Sequence, residues 1–277
     1  MNFKIVTDSS SDIIEFVGAP FASAPLKILT DEKEYIDNYS LDVEGMVNDL
    51  SKYKGKSSTS CPNPDDWVKA FGDAERVFCV TITGTLSGSY NAAKVAKELY
   101  EDMYPDRKVF VLNSLTTGPE MKIIIERISE LVSSGLDFED VCEQITEYSK
   151  QTGLIFILES MRNLANNGRV NPIVAKAAGL LGIRVVGKAS YKGDLQQLDK
   201  CRGSEKTLLT VISRLKEFGH KKGKIRIAHC FNDDFALQLK EKLMSEFDAL
   251  DLEVYSCRGL CSFYAEKGGL LIGFEKC

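Results

Sequence analysis

The stretch "RVFCVTITGTLSGSYNAAKVAKELYEDM", residues 76–103, decides how the rest of the chain is read. Its opening run, residues 76–83, is apolar, β-branched and of strand length. Glycines and a cluster of hydroxyls follow, and behind them the sequence turns helical. Strand, glycine loop and helix in that order make half of a βαβ unit. The same grammar recurs on both sides. "FKIVTDSSSD" (3–12) reads as a strand ending in a turn, with Asp8 and its serines capping a helix. "RKVFVLNS" (107–114) reads as another strand, followed by a helix over 119–134 with Met121, Ile124, Ile125, Ile128, Leu131 and Val132 at apolar positions. Strands alternating with helices predict an α/β fold with a mostly parallel sheet.

An amphipathic helix over 137–150 closes this first half near Gly153, and the pattern then restarts. "GLIFILES" is apolar; residues 161–186 give a short helix, a glycine turn, a longer helix and a strand. "KASYKGDLQQLDKCRG" has the look of a hairpin turning at Lys-Gly-Asp, and "SEKTLLTVISRLKEFG" of a helix with a Ser cap and a Gly stop. "GKIRIAHC", "LEVYSCRG" and "GGLLIGFEK" read as strands and "DDFALQLKEKLMSEF" as a helix. The chain has 277 residues, long for one compact domain and enough for two. The expected division is an N-terminal α/β domain over 1–153 and a smaller α/β domain over 154–277.

Composition narrows the function classes. Apolar residues make up 44% and charged residues 27%, ordinary values for a globular protein with a sizeable core. The net charge of −5 and pI near 5.3 argue against nucleic acid, which wants a basic face. No long apolar run predicts a membrane span, and the start "MNFKIVTDSS" lacks a signal-peptide core, so a cytoplasmic protein is expected. The dispersed cysteines read as free thiols, and neither His220 nor His229 has a metal-binding neighbour in sequence.

Two hydroxyl clusters lie close together: "SSTSCPNP" (57–64) and "TGTLSGSYNAA" (83–93). In an α/β sheet ligands bind beyond the carboxyl ends of strands, where the second cluster should sit. Its glycines admit a ligand to the backbone, the helix behind offers unpaired N–H groups, and Ser87 and Ser89 add donors. A small carboxylate or phosphate suits such a place. Thr59 and Ser60 converge on it if Pro62 and Pro64 stiffen their loop. The competing reading is that these residues only cap helices and form turns. The segment lacks the Gly-Lys-Ser/Thr of a P-loop and the GxSxG of a nucleophile elbow.

At these residues the chain resembles the DegV family, which includes the fatty-acid-binding subunits of bacterial fatty acid kinase. The resemblance rests on "IVTDSSSDI" (5–13), "TSCP" (59–62), "LSGSYNAA" (86–93) and the helix pair of 161–186, in order and at the family's spacing. It implies a two-domain α/β protein that buries an acyl chain, has no catalytic machinery or cofactor, and presents the fatty acid carboxylate to a separate ATP-dependent kinase. It also allows transient contact with a membrane. It implies Thr59, Ser60, Ser87, Gly88, Ser89 and Glu266 around the head group, with Arg169 and Arg202 as basic positions for kinase docking or phosphate handling. Candidate tunnel residues are Ile173, Val174, Leu180, Leu181 and Ile183, with ordinary core packing as the alternative. Arg169, Lys176, Arg184 and Arg202 are candidates for a docking face.

Two departures stand out. Cys61 replaces the family's Gln, and "AEKGGLLIG" (265–273) puts Glu266 where the family carries a His that reaches the head group. A carboxylate beside a carboxylate is repulsive unless one is protonated or a cation such as Lys267 intervenes. The alternatives are a divergent member binding another lipid or small anion, a hydrolase or transferase using Ser87, and a Glu266 that faces elsewhere.

Overall fold

A computed structural model describes residues 2–175 and 182–276. The first half forms a four-stranded, all-parallel sheet in the spatial order Phe21–Ala24, Phe3–Asp8, Arg76–Thr81, Lys108–Asn113. Both faces are covered, which is why its strands read as continuous apolar runs. Ile5, Phe78 and Val80 face helices Pro119–Ser133 and Phe138–Ser149. Val6, Val77 and Cys79 face helices Pro64–Phe71 and Ser89–Met103, where Trp67, Phe71 and Tyr100 are fully buried.

The second half builds a six-stranded mixed sheet: Leu195–Arg202, Ile183–Ala189, Thr152–Leu158, Leu270–Glu275, Gly223–His229, Leu250–Ser256. All neighbours run antiparallel except the last pair. The residues 153 and 154 lie inside the Thr152–Leu158 strand, which belongs wholly to this sheet. Ile155, Ile157, Val186 and Ile227 pack under helices Ser204–Glu217 and Asp233–Glu246. Leu154, Phe156, Leu158 and Leu271 point the other way, towards the first half. Gly187 is needed there: a Cβ on it would lie 2.2 Å from the Phe156 ring.

Several elements depart from the sequence reading. The serines after Asp8 form a single 3-10 turn, Ser9–Ser11, rather than a helix, and Asp8 caps it by accepting from the Ser10 N–H at 3.3 Å. Gly203, not Ser204, occupies the cap position of the following helix, with φ 83° and no side-chain cap. A small antiparallel sheet, Glu34–Ile36, Lys27–Leu29 and Ser58–Ser60, and a helix, Val43–Lys52, were not foreseen. Neither was the short helix Gly259–Ala265. Its residues are apolar or small and buried on nearly every side, so no polar face betrays its period. Its start is held by distant carboxylates: Asp37 accepts from the N–H groups of Gly259 and Leu260, both at 2.9 Å, and Asp12 from that of Arg258 at 2.7 Å.

Candidate functional site

Just beyond the carboxyl ends of the first sheet's strands, the chain leaves an apolar cavity against the inner face of the second sheet. It encloses about 690 Å³ between its walls, including the open mouth. Leu26, Ile82 and Leu86 line it from the first half, and Leu154, Phe156, Leu158 and Leu271 from the second sheet. Leu164, Leu195, Leu260 and Ala265 complete the apolar wall.

The polar part of the wall comes from separate elements. Thr59 sits on the small sheet, paired with Ile28 across the ladder. Ser87 lies in the loop before helix Ser89–Met103 and accepts from the Ser89 N–H at 3.3 Å. The cap residue of that helix, Gly88, has no side chain to satisfy the first turn, which leaves N–H groups there. The two loops touch: a Cβ on Gly88 would lie 3.3 Å from the Cys61 sulfur. Tyr264, from the short carboxyl-terminal helix, places its hydroxyl 2.7 Å from the Thr59 Oγ1. Burial pushes the Tyr264 hydroxyl and the Cys61 thiol up, so both stay protonated at neutral pH. Arg169 also lines the cavity, its Nε donating to the Leu86 carbonyl at 3.2 Å, which ties this arginine to the Ser87 loop.

The other sequence candidates stand apart from this wall. Ser60 is exposed and its hydroxyl donates only to the Cys61 carbonyl, at 3.4 Å. Ser89 is fully buried and donates to Asp8 Oδ2 at 2.5 Å. Asp8 also accepts from the Ser10 hydroxyl and, at 3.0 Å, from the Ile82 N–H, so it anchors the loop from beneath; burial raises its pKa. Glu266 lines a different groove, with Val47, Leu50 and Phe263. Its carboxylate accepts from the Ser160 hydroxyl at 2.9 Å and the Asn163 N–H at 3.0 Å, with Arg162 at 3.6 Å. It thereby caps helix Arg162–Asn166 instead of facing the hydroxyls. Arg202 lies on another groove beside Ser204 and Arg214. Ile173 is 78% exposed and Ile183 half-buried, and neither lines the cavity. Lys176, Leu180 and Leu181 fall outside the described residues, as does the side chain of Val174.

Sequence reasoning missed Tyr264, Thr117 and Cys261, all on the wall. It also missed which residues of "GLIFIL" face inward. Alternation would have shown this, but both strand faces are buried and the run is uniformly apolar.

Fold and site define an α/β protein with a mostly apolar interior slot that also carries hydroxyls from a strand, a loop and a helix. The chain belongs to the DegV family: the family model, described as "Uncharacterised protein, DegV family", matches residues 2–276. The chain is 40% identical over 279 residues to a DegV domain-containing protein of Streptococcus pneumoniae, with 99% of each covered. It is similar to the structure of a DegV family protein from Eubacterium eligens loaded with heptadecanoic acid: 41% identity, TM-score 0.98, covering 99% of this chain and 100% of that one. It is likewise similar to the Streptococcus pneumoniae Fatty Acid Kinase (Fak) B3 protein loaded with linoleic acid: 40% identity, TM-score 0.98, covering all of both chains. Among the described residues no helix is long and apolar enough to cross a membrane.

Proposed function

We propose that this protein binds a long-chain fatty acid in the apolar cavity and presents its carboxylate to a separate ATP-dependent kinase for acyl phosphate formation. The observation that carries the reading is that Thr59, Ser87 and Tyr264, from three separate segments, line one mostly apolar cavity together with Arg169, the Thr59 and Tyr264 hydroxyls in contact. The fatty acids held by relatives at 41% and 40% identity support it. About 14 methylenes at about 0.8 kcal/mol each give roughly 11 kcal/mol of gross transfer energy, before ordering and desolvation are subtracted. The chain therefore supplies most of the affinity. Hydroxyls position the head, and Arg169, held by the Leu86 and Asn167 carbonyls, adds positive charge nearby, which leaves the head open to phosphoryl transfer. In this reading residues 1–153 contribute the hydroxyl loops, and 154–277 close the cavity with Arg169 and Tyr264.

The engagement of Glu266 by Ser160 and Asn163 supports a head group held away from this carboxylate. The protein itself performs no chemistry in this account. Neither histidine lines the cavity: His220 Nδ1 is 2.7 Å from the Glu275 carbonyl and His229 lies by Asp233, so Ser87 has no imidazole base at hand. The free cysteines suit a reducing cytoplasm. The experiment is a titration of delipidated protein with a C18 fatty acid. Replacing Thr59 and Ser87 together with Ala should weaken binding about tenfold or more, the loss of two hydrogen bonds to a charged group. Undiminished affinity in the double variant would remove the head-group assignment.

A further inference from the structure

A second cleft, with about 1060 Å³ between its walls including the open mouth, shares Leu154 with the apolar cavity, and no other described residue lines both. It opens where the Lys108–Asn113 strand runs out at Asn113 and Ser114, against the start of the Thr152–Leu158 strand and the tip of the hairpin at Ser190. Its electrostatics reverse those of the chain. The whole molecule carries −5, yet this cleft has three lysines, Lys150, Lys188 and Lys276, against one carboxylate, Glu120.

Lys150 pairs with Glu147. Lys188 and Lys276 form no ion pair among the described residues. The Lys188 ammonium lies 4.7 Å from the Phe218 ring centre, and that of Lys276 donates to the Lys150 carbonyl at 3.3 Å. Lys188 and Lys276 line the same cleft, and an anion bound in it is attracted by both. The hydroxyls of Ser114, Thr152 and Ser190 on this wall already donate to the Thr116 carbonyl, Glu120 and Asp194, so the ammonium groups are its donors for an anion, while Phe218 and Phe274 give an apolar side. Glu120, on the wall, is 5% exposed and accepts from the Thr152 hydroxyl at 2.7 Å. Its burial lifts its pKa to about 7, against the pull of the Lys276 charge, which weakens the one negative charge on this wall near neutral pH.

We propose that this cleft is a second ligand site, for a phosphomonoester carried on a small apolar body. A phosphomonoester holds about two negative charges at neutral pH, which the two unpaired ammoniums match. The apolar body fits the phenylalanine side. The site adjoins the apolar cavity at Leu154 and does not rest on the fatty acid reading.

Phenyl phosphate is the probe, titrated calorimetrically into the full chain at about 50 mM salt, with inorganic phosphate and benzoate as comparisons. The expected result is saturable binding of phenyl phosphate, about fivefold or more tighter than either comparison. Lys188→Met/Lys276→Met should weaken it about tenfold. Lys276 is exposed, so Lys276→Met alone keeps the test valid if the double variant folds poorly; it should weaken binding about threefold. No binding of phenyl phosphate at millimolar concentration overturns the proposal. So does equal affinity for benzoate or phosphate, or an affinity unchanged by the lysine substitutions.

Discussion

Tyr264 illustrates what single residues contribute. Its ring fills the cavity wall, and its hydroxyl meets Thr59 at 2.7 Å. Tyr264→Phe keeps the ring and removes the donor. Fatty acid affinity should fall a few-fold, on the order of 1 kcal/mol, with the unfolding midpoint nearly unchanged; titration and urea melts on one preparation would check both, and an unaltered affinity would remove Tyr264 from the head-group set. Glu120 gives a prediction in pH. Burial raises its pKa from 4.5 to about 7, so the folded protein holds this proton more tightly than the unfolded chain. Its contribution is therefore fully present below about pH 4.5 and is lost as pH rises through about 7. Glu120→Gln should lack this decline: relative to wild type, its stability should rise across that window. Urea midpoints at pH 5 and pH 8, compared between the two proteins, measure it. An equal change in both would show that Glu120 is not the titrating group.

Among the elements, legibility follows length and locality. The stretch 76–103 was readable because a six-residue strand and a long helix each carry their own pattern and meet at glycines. Strands of three residues, such as Lys27–Leu29 and Ser58–Ser60, are too short to show alternation, although one of them carries Thr59. The short helix Gly259–Ala265 depends on groups more than 200 residues away, Asp37 and Asp12, which no local motif reveals. That dependence is testable. Asp37→Ala strips the acceptors from two buried N–H groups at about 1–3 kcal/mol each. The variant should unfold at clearly lower urea. It should also bind fatty acid more weakly, because Leu260, Cys261 and Tyr264 ride on that helix. Normal stability together with normal binding would contradict this role.

At the scale of the whole molecule, the cavity exists because the two sheets are fixed against each other. Arg226, 5% exposed on the second sheet, forms a two-pronged pair with Glu126 of the Pro119–Ser133 helix at 2.9 and 2.8 Å, and also reaches Asp251. Lys122 joins Glu253 and Lys224 joins Glu130 across the same junction. The family and the parallel sheet were legible from motif order. The position of Glu266 was not, since a one-dimensional match aligns a residue without saying which way its side chain turns. The measurement that tests the central claim most directly is mass spectrometry of lipid released by denaturing the purified protein. The account predicts a long-chain fatty acid in near-stoichiometric amount. Protein that is empty as purified, and that takes up no added fatty acid, would contradict it.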